Sequence, residues 1–193
     1  MAVAVTIDFR NTYEVEPVSD DYRISKFNTI LKDGTTEVLN IKISNNAHEL
    51  MPNVYNLAFG PEDDKGKIND KAELPHTDYS RVFSTILLEA YTYLRKHKTD
   101  SIGIDGSDMN RAILYFRFIQ KNYDYLTGIF NIYGLKYYVR ITRFGKTQYQ
   151  NPFDFDDIFL KPQLIEKGEK INFDSLYNYF VFGLKEQLNI IPL

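Results

Sequence analysis

Phe27-Asn28-Thr29-Ile30-Leu31-Lys32-Asp33-Gly34-Thr35-Thr36-Glu37-Val38-Leu39-Asn40-Ile41-Lys42-Ile43 is read as two strands around a turn. Apolar and polar residues alternate on both sides of Asp33-Gly34, and a period of two puts one set of side chains on one face of a sheet. Asp-Gly between two such runs signals a hairpin, because both positions tolerate positive φ. Val54 to Phe59 alternates in the same way and stops at Gly60-Pro61. Ile68 to Leu74 is expected to return as its hairpin partner after a polar loop. At the other end, Val3, Val5, Ile7 and Phe9 alternate with Ala2, Ala4, Thr6 and Asp8, which predicts an edge or capping strand.

The period then changes. Val82, Phe83, Ile86, Leu87, Ala90, Tyr93 and Leu94 recur at the spacing of an amphipathic helix. Thr77 or Asp78 can cap its start, and Arg95 to Lys98 suit its negative end. Ser101 to Asp105 reads as a short strand, and Gly106-Ser107-Asp108 leads into a second helix over about 109–124. Strands are expected over 129–133 and 135–144, with Gly134 as a turn between them. Leu176, Phe180, Leu184 and Leu188 predict a last helix over 174–188. The acidic, aromatic segment Phe153 to Leu160 is expected to pack the tail onto the body.

Strands first, then helix–strand–helix–strands, predict an α+β fold with a mixed or largely antiparallel sheet and two or three packed helices. One domain is expected over 1–193: β-rich over 1–74, helix–strand–helix over 78–124, strands over 129–144, tail and helix over 151–193.

Composition narrows the function. The 193 residues carry 23 Lys and Arg against 26 Asp and Glu, a net charge of −3, with no Cys and no Trp. That excludes disulfide scaffolds and cysteine-ligated metal sites. No apolar run reaches the roughly 18 residues of a membrane span. The short apolar start, ended by Asp8 and Arg10, makes a poor signal peptide, so a cytoplasmic location is expected. His48, His76 and His97 have no metal-like spacing. No phosphate-binding or dinucleotide glycine loop and no nucleophile elbow is present, so no cofactor and no catalytic residue are assigned.

Two candidate sites remain. The strand end Ile104-Asp105-Gly106, followed by Ser107 and Arg111 at a helix start, can offer free N–H groups, a hydroxyl and a guanidinium to an anion. Tyr115, one turn on, would edge the same place. The plainer reading makes Gly106 a turn, Ser107 or Asp108 a cap, and Arg111 the partner of Asp105 or Asp108. Lys136, Tyr138, Arg140 and Arg143, on and after one strand, form the second candidate, a basic aromatic face for nucleic acid. The negative overall charge speaks against that partner.

Tyr55-Asn56-Leu57-Ala58-Phe59-Gly60, then Asp70, Asp78, Val82 and Thr85, then Gly106-Ser107, Arg111 and Leu114-Tyr115, is a series that resembles an uncharacterised family of small bacterial proteins, a domain of unknown function. The resemblance spans about 54–134. It implies intracellular bacterial proteins, transfers no catalytic residue, and concentrates interest on Gly106, Ser107, Arg111 and Tyr115. Asn110 and Leu114-Tyr115 are also similar to a late helix of GNAT acyltransferases, but the glycine loop those enzymes use for coenzyme A is missing.

The leading expectation is a regulatory protein that acts by binding another protein or itself, without evident catalytic chemistry. The alternative is a protein or transferase that binds a phosphorylated small molecule or nucleotide at Gly106, Ser107 and Arg111. The third is nucleic-acid binding through 136–146. A pocket lined by Arg111, Tyr115 and strand 101–105 would favour the small anionic ligand over the protein partner.

Overall fold

A computed structural model describes residues 5–70, 72–106, 109–141, 153–170 and 176–185; for 137–141 and 153–160 it describes the backbone alone. The strands are β1 (Val15–Pro17), β2 (Ile24–Ile30), β3 (Thr36–His48), β4 (Met51–Gly60), β5 (Ser101–Asp105), β6 (Phe130–Ile141), β7 (Phe153–Leu164) and β8 (Tyr179–Leu184). The helices are α1 (Tyr79–Lys96), α2 (Met109–Lys121) and α3 (Tyr123–Thr127). The fold is α+β, with one mixed sheet of eight strands in the order β1-β2-β3-β4-β5-β8-β6-β7. Among the described residues no helix is long and apolar enough to cross a membrane.

The first hairpin forms as its alternation requires. Phe27 faces Leu39 and Ser25 faces Ile41, and all four are buried. Its loop spans five residues, with Leu31 N–H donating to the Thr35 carbonyl at 2.8 Å. Only Gly34 takes positive φ, at 85°. Asp33 serves through its carboxylate, which accepts the Thr35 amide at 2.9 Å.

β4 runs antiparallel to β3 but parallel to β5. A parallel neighbour needs a crossover, and α1 supplies it. Asp78 caps that helix by accepting the Arg81 amide at 2.9 Å. Val82, Ile86, Leu87, Ala90, Tyr93 and Leu94 are buried against the sheet. Each large side chain contributes roughly 1.5–3 kcal/mol by leaving water. Met51, Val54, Leu135, Tyr179 and Val181 form a smaller apolar cluster.

Several expectations fail, each for a physical reason. Residues 179–184 are not helical; they form β8, which pairs with β5 on one side and β6 on the other. Phe180 and Phe182 join the main core, while Tyr179 and Val181 join the second cluster. A spacing of four is even, so Leu176, Phe180 and Leu184 satisfy a strand's period as well as a helix's. Gly134 is no turn: β6 runs straight through it, and the Tyr177 ring lies where a Cβ would stand, 2.4 Å away. The described residues 68–70 and 72–74 form no strand, because β4 already has β3 and β5 as neighbours; only an isolated bridge, Glu62 to Ile68, remains. The expected helix over 109–124 is divided at Asn122 into α2 and α3.

Asn122 also explains the N-terminus. Val5 and Ile7 are buried as their alternation predicts, but residues 5–9 join no strand of the sheet. Helix side chains take the place of a neighbouring strand. The amides of Thr6, Ile7, Asp8 and Phe9 donate to Ser80 Oγ, Asn122 Oδ1, Ser84 Oγ and Tyr125 OH at 2.9–3.0 Å. Asn122 Nδ2 donates in turn to the Val5 carbonyl at 3.1 Å and to the Phe118 carbonyl at 2.9 Å. Farther along, Thr85 Oγ1 accepts the Tyr13 amide, and the Arg81 guanidinium donates twice to the Thr12 carbonyl.

Replacing Asn122 with Ala strands the Ile7 amide and the Val5 carbonyl in the interior. The expected cost is about 1–3 kcal/mol in urea unfolding. Limited proteolysis should then cut first within residues 5–13.

Candidate functional site

Because β4 and β5 are parallel, both end on the same side of the sheet. β4 delivers the chain there to Gly60-Pro61, and β5 delivers it to Gly106 and α2. Crevices outside the carboxyl ends of parallel strands are a recurrent place for ligands.

The segment after β4 is folded on itself. Asn69 N–H donates to the Pro61 carbonyl at 2.8 Å, and Asp63 N–H donates to the Lys67 carbonyl at 2.8 Å. Asp63 Oδ1 accepts the amides of Lys65 and Lys67, each at 2.9 Å. Gly60 makes this closure possible. Its φ is +155°, and a Cβ would stand 2.4 Å from the Asn69 carbonyl oxygen. The chain then passes along β2, where Thr77 N–H donates to the Ile30 carbonyl and Lys32 N–H to the Pro75 carbonyl, both at 2.9 Å. His76 Nδ1 lies 3.2 Å from Thr29 Oγ1, and both residues are buried. Burial pushes the His76 pKa below its ordinary value, so the ring is neutral at pH 7.

Between this segment, α1 and the start of α2 lies a cleft of about 910 Å³. Asp70, Glu73, Asn110 and Arg111 provide charged and polar side chains, with His76 and Tyr79 beside them. Phe59, Leu74, Val82, Phe83, Leu114 and Tyr115 provide apolar and aromatic wall. Arg111 Nη1 donates to Asp70 Oδ2 at 3.2 Å; the arginine side chain is 16% exposed and the aspartate 45%. Phe59, Phe83 and Tyr115 also line an inner crevice of about 20 Å³, together with Ile86, Ile104 and Phe118. All of its lining side chains are apolar or aromatic, so it offers water no set of partners.

The two site residues that the second helix contributes, Arg111 and Tyr115, are both on this cleft. Strand 101–105 contributes less than expected: Ile104 reaches the inner crevice but not the outer cleft. Arg111 pairs with Asp70, a partner 41 residues away in the chain that sequence reading did not offer it. Gly106 is buried behind the cleft, with its amide donating to the Asn178 carbonyl at 2.9 Å. Its φ is not positive. A Cβ there would stand 3.0 Å from the Phe180 ring, so its smallness serves packing. Ser107 and Asp108 lie outside the described residues. Glu73, Phe59 and Phe83 were not singled out by sequence as site residues; the Gly60-Pro61 turn, which folds the loop over them, was the available signal.

The basic candidate is divided. Lys136 Nζ lies 5.0 Å from the centre of the Tyr177 ring, a cation–π contact within the protein. The backbones of Tyr138 and Arg140 are in β6, where Arg140 registers with Asp154. Their side chains, and all of Arg143, lie outside the described part. Among the described residues no three His, Asp or Glu side chains are grouped to hold a metal ion.

One titratable cluster lies elsewhere. Tyr93 OH donates to Asp100 Oδ2 at 2.6 Å, and the Arg23 guanidinium sits between the Tyr55 and Tyr93 rings at 4.5 and 5.0 Å. His97 stacks on Tyr93 at 4.3 Å. Tyr93 is fully buried, and burial raises the pKa of its hydroxyl. This cluster ties the 19–23 turn to the end of α1 and offers a ligand no opening at Tyr93.

A model of the family DUF6934, a family of unknown function, matches residues 10–156. The match includes the whole 54–134 series that carried the resemblance and extends beyond it at both ends. No curated protein and no solved structure matches the chain.

Gly60→Ala should cost about 1–3 kcal/mol, because the backbone must leave its positive φ or push Asn69 away. Hydrogen exchange should then quicken at the Asn69 and Ala72 amides before it does in β3. Arg111→Ala removes the pair with Asp70 and should lower stability in urea unfolding by about 1 kcal/mol or more.

Proposed function

The chain belongs to this family of unknown function, and we propose that it acts by binding a small organic molecule in the cleft beside Arg111 and Tyr115. The cleft itself carries the reading. Its volume of about 910 Å³ lies in the range of small-molecule sites, roughly 300–1,000 Å³. It combines an apolar aromatic wall with a few convergent polar groups, the usual division between affinity and orientation. No catalytic step is assigned to it, and a cytoplasmic setting is proposed with it.

A second reading is a protein partner, and α2 supplies its supporting observation. Met109 is 61% exposed and Leu114 50% exposed on the helix that walls the cleft. A partner segment could seat itself over both.

Thermal unfolding in fractionated extract of the native host separates the readings. The low-mass fraction should raise the melting temperature of the wild type, and Ala72→Trp, which adds an indole at the cleft wall, should abolish the rise. A rise produced by the macromolecular fraction alone would favour the protein partner. Equal rises in wild type and variant would remove the cleft from the account.

A further inference from the structure

We infer that the occupant of the cleft is an amphipathic cation, an ammonium group carried on an aromatic or branched apolar body. The inference rests on the binding reading above and names the chemistry of the ligand.

Charge is the first argument. Among the described lining residues the ionised groups are Asp70, Glu73 and Arg111. Two carboxylates against one guanidinium leave one negative charge in excess. Arg111 is already engaged by Asp70 at 3.2 Å. Glu73 is exposed and has no hydrogen bond or ion pair within the described residues. His76 adds no positive charge at pH 7, because burial disfavours its protonated form. A phosphate placed here would meet two carboxylates and a guanidinium whose charge is already balanced. An ammonium would meet Glu73, a carboxylate without a partner among the described residues. Among the described lining groups, the charge balance therefore favours an ammonium over a phosphate.

Shape is the second argument. Phe59, Phe83 and Tyr115 line both the cleft and the dry inner crevice, so they form the wall between the two spaces. An apolar body against these rings leaves water, at about 25 cal/mol for each Å² buried. Aromatic faces also attract cations. Arg111 and Asn110 can take a carboxylate or hydroxyl on the same molecule, which admits both simple amines and the zwitterions of apolar amino acids.

Four probes of nearly one size test this with the full-length protein: 2-phenylethylamine, L-phenylalanine, 2-phenylethanol and phenyl phosphate. Binding is read from amide chemical shifts at pH 7 and low salt. The amine should shift Phe59, Glu73, Phe83 and Tyr115 saturably, about three-fold or more tighter than the alcohol, with phenyl phosphate weakest. Glu73→Gln, an exposed change that leaves the fold alone, should bring the amine down to the alcohol. L-Phenylalanine binding as well as the amine would identify zwitterions as the source of the ammonium; much weaker binding would restrict it to simple amines. If the alcohol or the phosphate binds as tightly as the amine, or Glu73→Gln leaves the amine unchanged, the cation is overturned and the cleft reading survives. If no probe shifts these residues, the cleft reading itself falls.

Discussion

The parallel pairing of β4 with β5 governs most of what this chain can do. Every other pair of neighbours in the sheet is antiparallel. A hairpin cannot join parallel strands, so the chain must leave the end of β4, cross over the sheet and re-enter at the start of β5. That demand places α1 against the core face. It also brings the end of β4 and the end of β5 to one side of the sheet. The 61–76 segment and the first turn of α2 therefore meet, although tens of residues separate them. The Arg111–Asp70 pair is the chemical sign of that meeting.

A second device lets polar side chains act as a strand. α1 carries Ser80, Ser84 and Thr85, residues that ordinarily compete with a helix backbone. Ser84 and Thr85 are almost wholly buried, which an apolar stripe alone would not explain. Their oxygens are spent on the amides of Asp8 and Tyr13, so the N-terminal segment is seated without a ladder of its own. Asn122 does the same from the far side, with its amide both donating and accepting. No buried side-chain nitrogen or oxygen among the described residues lacks a partner, which is what a buried polar seam requires.

Local patterning in the sequence foretold whatever depends on neighbours in the chain. The hairpin around Asp33-Gly34, the capped helix from Asp78 and the short strand 101–105 all stand where periodicity and caps place them. Periodicity failed where a segment is buried on both faces. Tyr179 to Val181 is buried at every position, so no face is marked as outer, and even spacing of the larger residues imitates a helix. Glycine misled in the same direction. At Gly134 and Gly106 the missing side chain makes room for Tyr177 and Phe180 rather than for a turn. Of the site, Arg111 and Tyr115 were legible because they open a helix after a strand. Asp70 and Glu73 were not legible as its partners, since a polar loop shows its charges without showing what the fold brings against them.

The cleft is built from a segment held by its own hydrogen bonds. Between Gly60 and Asp70 the backbone bonds and the Asp63 carboxylate close the loop on itself, and the bonds to Ile30 and Pro75 fasten its far end to β2. A binding site that is already ordered loses less conformational entropy when it is filled. The mouth and the wall then divide the work. At the mouth the Asp70 carboxylate is half in water while the Arg111 guanidinium is mostly covered, so their ion pair is partly screened. At the wall Phe59, Phe83 and Tyr115 are held by other rings, including the contact of Phe83 with Phe118 at 5.5 Å and of Tyr115 with Phe180 at 6.1 Å. In the proposed binding, affinity would come from the aromatic side and selectivity from the charged groups. The two can be altered separately because they sit on different residues.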